Sequence, residues 1–269
     1  MGYFYVKTTG SNANDGRDPS RPLLTIQEAI DRAIPNEVIR VEAGTYVEAL
    51  TINKPLEILA YFPSKSWGEL VLESPTPGML HGITVTGLAP SDLLQIIGFR
   101  FDKFNWGVTE NSSTGGTLRV FGCRFDPEAP RMPWGVKAET VGDLQVWSSI
   151  TEEQDVGVMY LGTGTVEMRG CTSYDCSTGL MAPNATQALW RDCIFHNAGT
   201  ANRHVNLGAA VGVNADFNLY SGASPTTSTV TADAAVNYNT SNWATWMGLG
   251  RDANAPGTNP NGSPGFVQE

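Results

Sequence analysis

Charge is scarce in this chain of 269 residues: Asp, Glu, Lys and Arg make up only 16% of it. The acidic residues outnumber the basic by 27 to 17, giving a formal net charge of −10. No Lys/Arg cluster occurs anywhere, and binding a phosphate backbone requires one, so nucleic acid is not an expected partner. No apolar run approaches the roughly 20 residues that span a bilayer, so no membrane partner is expected either. The opening MGYFYVKTTG has neither a basic stretch nor the apolar core of an export signal. Only 4 cysteines and 3 histidines are present, in no CxxC or Cys/His spacing that would suit zinc. The GxSxG, HExxH and P-loop patterns are all missing, which removes the commonest sequence signatures of hydrolases, zinc peptidases and nucleotide-binding enzymes.

What is abundant is glycine, with 29 residues, among many Thr, Ser and Asn. That composition suits an all-β, turn-rich chain, and an internal repeat gives it form. Ile97-Gly98-Phe99-Arg100-Phe101 superposes on Phe121-Gly122-Cys123-Arg124-Phe125, then on Trp147-Ser148-Ser149-Ile150-Thr151, Arg169-Gly170-Cys171-Thr172-Ser173 and Arg191-Asp192-Cys193-Ile194-Phe195, at steps of 22 to 26 residues. A second ladder runs in phase with it: Gly82-Ile83, Gly107-Val108, Gly135-Val136, Gly157-Val158 and Gly179-Leu180, with Gly208-Ala209 as a weaker sixth member. Two ladders in phase at this period describe a solenoid. Before each corner the apolar residues alternate as strands require (Leu94/Ile96, Leu118/Val120, Leu144/Val146, Val166/Met168), and a Gly, Ser or Asp takes the corner itself. Cys123, Cys171 and Cys193 fall at one repeat position and read as small core residues, while Cys176 lies off the ladder.

A solenoid has two raw ends to cover. Thr25–Ile34 has helical spacing of apolar residues and stops before Pro35, so it reads as a capping helix. The expected organisation is one domain over 1–269: an N-terminal cap and first coil at 1–50, coils at 51–213, and an irregular C-terminal cap at 214–269 with Trp243, Trp246 and Phe266 as its plug.

The opening Tyr3-Phe4-Tyr5-Val6, the Gly10-Ser11-Asn12-Ala13-Asn14-Asp15-Gly16 turn, Leu24–Ile30 and Val41-Glu42-Ala43-Gly44-Thr45-Tyr46 resemble the start of many proteins of the pectin-lyase-like superfamily. The close, with Phe217–Tyr220, Arg251-Asp252 and Pro264-Gly265-Phe266-Val267, is similar to the usual end of such domains. The resemblance implies a single-stranded right-handed parallel β-helix, a fold shared by polysaccharide lyases, glycoside hydrolases, epimerases and phage tailspikes. In the lyases it implies a groove on one parallel sheet, a Lys or Arg base and often Ca²⁺. Fold alone does not choose among these.

Two rows carry the candidate chemistry. If the Gly-Val strands form the groove sheet, the outward positions are Thr84, Thr109, Lys137, Met159 and Met181, with Lys137 the one candidate base and the two methionines an adaptable contact surface. Three residues beyond the Phe/Cys ladder come Asp102, Asp126, Glu152, Tyr174 and His196, with Arg100 and Arg124 on the same face. Carboxylates on neighbouring coils would stand about 5 Å apart, within the range glycosidases use for acid–base pairs, so Asp126 with Glu152 is a candidate pair and His196 a further candidate. Stacked carboxylates also leave room for a Ca²⁺ bridge, although no dedicated metal-ligand set is expected. The same side chains could instead form a surface charge lattice of little energetic weight. His81, beside a ladder glycine, and His204, expected in a loop, read as satisfied polar residues.

The leading expectation is a non-enzymatic virion protein of decoration, spike or fibre type, located on the virion or outside the cell. It would pair with other virion proteins or with itself as a homo-oligomer, with polysaccharide as a further partner. The alternative is a secreted polysaccharide lyase or glycoside hydrolase acting on an acidic polysaccharide, and a third reading is a carbohydrate-binding module using Trp67, Trp106 or Trp134.

Overall fold

The computed structural model describes residues 2–61, 69–76, 81–126, 133–196, 203–208, 212–216, 218–221, 230–232 and 236–238. These form an all-β parallel solenoid with one short helix near the N-terminus. Three sheets run its length: sheets A and C of nine strands each and sheet B of eight. One coil contributes one strand to each, as in Thr117–Phe121 (sheet A), Arg124–Phe125 (sheet B) and Trp134–Ala138 (sheet C). Each strand pairs in parallel with its counterparts in the coils before and after. The alternating apolar residues point inward: Leu94, Ile96, Leu118, Val120, Leu144, Val146 and Val166 are fully buried.

The corner between sheets A and B takes the shape its residues suggest. Gly98, Gly122 and Gly170 adopt φ of +78°, +62° and +59°. Ser148 and Asp192 hold the same left-handed corner at +49° and +55°, small polar side chains standing in where glycine is absent.

The glycine ladder has a different cause, which is space. A Cβ on Gly107 would lie 2.3 Å from the Phe125 ring and 2.5 Å from the carbonyl oxygen of Gly135. The Phe101 and Phe125 rings stack 4.7 Å apart at 9° inside the solenoid and press against this strand. Where Thr151 and Ser173 replace phenylalanine in that stack, buried Gln154 and Cys176 fill the interior. All four cysteines are buried and none is in a disulfide. The next ladder member is His204-Val205, since Val205 pairs with Leu180, and not Gly208-Ala209. His204 therefore lies in a strand and is fully buried, not in a loop.

At the N-terminal end the helix runs Ile26–Arg32, with the Thr25 hydroxyl accepting from the Glu28 amide. The Glu48 carboxylate accepts from the Ile26 and Gln27 amides at 2.9 and 3.0 Å, meeting the free N–H groups of the first turn. At the other end parallel pairing continues beyond residue 213, through Leu219–Ser221 and Val230–Ala232, before one antiparallel strand, Val236–Tyr238. The plug residues Trp243, Trp246 and Phe266, and the surface Trp67, lie outside the described residues.

Candidate functional site

The outer face of sheet B carries the acidic row. Register sets Glu73 beside Asp102, Arg100 beside Arg124, Glu152 beside Tyr174, and Tyr174 beside His196. The charges alternate along the solenoid. Arg100 bonds Glu69 at 2.9 Å and Asp126 at 3.0 Å, and Arg124 bonds Asp126 at 3.1 Å and Glu152 at 3.4 Å. The Arg124 guanidinium thus lies between the two carboxylates proposed as an acid–base pair, where a glycosidase keeps substrate and water. A Ca²⁺ bridge at the same place would have to displace that guanidinium. Among the described residues no group of three or more His, Cys, Asp or Glu side chains is arranged to hold a metal ion. Tyr174 and His196 stack with ring centroids 4.9 Å apart, and the His196 Nε2 is 4.0 Å from Asp175. This face is a lattice of ion pairs. Because the pairs are partly solvated, Arg124→Ala is expected to lower stability by no more than about 1 kcal/mol in urea denaturation.

Sheet C gathers a more reactive set. Thr84, Thr109, Lys137, Met159, Met181 and Asn206 follow one another in register on its outer face. A second row starts three residues earlier on the same strands, with His81, Trp106 and Trp134 in register. The rings of this row lie against one another, the two indoles stacked and the imidazole tilted by 36°. His81 and Trp106 centroids are 4.3 Å apart, and those of Trp106 and Trp134 are 5.7 Å apart at 14°. The Lys137 ammonium lies 4.9 Å from the Trp134 ring centroid and is ion-paired with Glu139. The rows are tied together by the Nδ1 of His81, 2.6 Å from the Thr109 hydroxyl oxygen.

The Thr109 hydroxyl also approaches the Ile83 carbonyl at 3.5 Å. When it donates there, the short contact is made by an Nδ1–H donor, and the imidazole lone pair sits on Nε2. Burial first, then the positive charge of Lys137, holds the His81 pKa below its ordinary value and favours neutral imidazole. A neutral imidazole, a lysine cation and two indoles therefore share one face.

The sequence marks Lys137 through the glycine ladder, but His81 is legible there only as a polar neighbour of Gly82. What could have found it is the ring at the same offset in three successive coils, His81, Trp106 and Trp134, three residues before the outward Thr/Lys row. Met159 and Met181 are neighbours on this face and half-buried.

No protein-family model matches the chain, and no curated protein matches it. Among solved structures it is similar to a rhamnogalacturonan lyase, at 12% identity and a TM-score of 0.41, over 100% of this chain and 90% of that one. It is also similar to a GH136 lacto-N-biosidase from Eubacterium ramulus, at 13% identity and a TM-score of 0.42, over 86% of this chain. The match spans 62% of the biosidase. Likeness at this level leaves activity to be argued from the chain's own side chains.

Proposed function

We propose that the protein acts on an acidic polysaccharide along the outer face of sheet C, as a lyase of pectin-lyase-like type. The observation that carries this reading is the convergence of His81, Thr109, Trp134 and Lys137 on one face, with the imidazole biased to its neutral form. Lys137 would neutralise the substrate's uronate carboxylate, making the adjacent carbon acid easier to deprotonate. His81 Nε2 would take the proton from C5. The C5–H electron pair forms the C4=C5 double bond, the C4–O bond breaks with its pair on oxygen, and the leaving oxygen takes a proton from water. With a net charge of −10, the protein needs such a local cation to hold a polyanion.

The virion-component expectation rested on three features of the sequence, the lack of an export signal, of long loop insertions and of a convincing catalytic row, and His81 beside the Lys137 row weighs against the third. The glycosidase version loses ground because Arg124 separates Asp126 from Glu152.

The test is a polyuronate panel followed both by ultraviolet absorbance of unsaturated products and by release of reducing ends. His81→Gln and Lys137→Ala are each expected to lower turnover tenfold or more, while Asp126→Asn and Glu152→Gln leave it unchanged. Reducing ends without absorbance, lost in Asp126→Asn, would establish a hydrolase on sheet B instead. The pH profile gives a second check. A base with a depressed pKa is deprotonated over more of the acidic range, so the acid limb of turnover should lie below the ordinary imidazole value of about 6.5 and disappear in His81→Gln. A limb at or above that value would remove His81 as the base.

A further inference from the structure

A separate cluster lies at the N-terminal end of sheet A. In the parallel register Tyr5 stands beside Arg40, and Glu42 beside Tyr61. The Arg40 guanidinium carbon is 4.2 Å from the Tyr3 ring centroid, 5.3 Å from that of Tyr61 and 5.8 Å from that of Tyr5. Tyr5 and Tyr61 meet edge to face at 6.1 Å. A guanidinium offers five N–H donors, yet among the described residues the hydrogen bond Arg40 makes is a long one, 3.4 Å to the Tyr5 hydroxyl. The acid beside it, Glu42, is paired with Lys7 at 3.0 Å, and among the described residues no carboxylate forms an ion pair with Arg40. A recess of 190 Å³ is lined by Tyr5, Lys7, Arg40, Glu42 and Tyr61 together with Pro19 and Pro22.

An arginine braced by aromatic rings, with donors to spare and no counter-ion among the described residues, is suited to receive a planar anion. The recess is smaller than the roughly 300–1,000 Å³ that takes a drug-sized ligand, which limits the occupant to a group the size of one sugar ring. The tyrosine rings offer apolar surface to such a ring, and a uronate carries the carboxylate that the fork of Arg40 would grip. We infer that this recess is an accessory subsite for one uronate unit of an acidic glycan, on a different sheet from Lys137. It takes its ligand class from the proposed function but stands on other residues.

The experiment is calorimetric titration of the full chain with tetragalacturonate, and with maltotetraose as the neutral comparison. A His81→Gln/Lys137→Gln double variant disables sheet C, and Arg40→Gln and Tyr61→Leu are each added to it. The expected result is that the double variant still binds tetragalacturonate, and that either added substitution weakens binding about tenfold or more with the thermal midpoint unchanged. Using two substitutions at the recess keeps the test open if one of them misfolds. Undiminished binding in both added variants would overturn the subsite, as would equal binding of maltotetraose. Binding lost in the double variant with Arg40 intact would overturn it while leaving the sheet C reading in place. Arg40-dependent binding in a wild-type protein that turns over no polyuronate would uphold the subsite and overturn the catalytic reading.

Discussion

Gly107→Ala is expected to cost about 3 kcal/mol or more, enough to deplete the folded state of a protein of ordinary stability. The added carbon would sit 2.5 Å from the Gly135 carbonyl oxygen, which the sheet C ladder fixes, and 2.3 Å from a Phe125 ring held in a stack with Phe101. Neither neighbour can yield without moving a coil. Gly122→Ala provides the contrast. Nothing lies within 4 Å of its added carbon, and the penalty is only the left-handed φ of +62°, about 1 kcal/mol. Urea denaturation of both variants should rank Gly107 well above Gly122. The reverse order would show that the glycine ladder is set by backbone conformation and not by the ring stack.

Glu110→Gln is expected to lose about 2–4 kcal/mol at neutral pH. The side chain is fully buried, and its carboxylate accepts from the amides of Ser112, Ser113, Glu139, Thr140 and Val141 and from the Thr140 hydroxyl, at 2.6 to 3.1 Å. Glutamine turns an NH₂ group toward donors that need an acceptor. Burial raises the carboxyl pKa, but the hydrogen bonds from Thr140, Val141 and Ser113 together outweigh it, so the pKa lies below its ordinary value. For an acid with a depressed folded-state pKa, the stabilisation is complete above the unfolded-state value and is lost as the pH falls through the folded one. The gap between wild type and Glu110→Gln should therefore be widest at neutral pH and narrow on acidification below the ordinary carboxylate range. A gap independent of pH would mean that shape, not ionisation, matters at this site.

The coil period was legible because the inward Leu and Val pairs and the corner residues recur in linear order, and the structure keeps both in register. Contacts between ladders were not legible. Gly107 and Phe125 belong to different strands of different coils, and only the folded cross-section shows that one makes room for the other. Glu110 lies in the polar run Glu110-Asn111-Ser112-Ser113, while four of its six donors come from the following coil. The candidate site was half legible for the same reason. Lys137 follows from its ladder, whereas the placement of His81 against Thr109 and the indoles is set by register between coils. Cys176, off the cysteine ladder, fits the gap left where Thr151 and Ser173 interrupt the phenylalanines.

The stacking of one coil on the next also fixes the span over which the chain must close on itself. The ties between coils join residues about one turn apart, such as Cys123 to Ser149 at a separation of 26 and Thr165 to Asp143 at 22. Among the described residues the pairings run from each coil to the next, so they can form one after another. Loop-closure entropy is thus met in many similar instalments. The helix-capped first coil, with the Ile26 and Gln27 amides bonded to Glu48, is expected to serve during synthesis as the template on which the second is laid, so that assembly advances along the axis in the direction of translation.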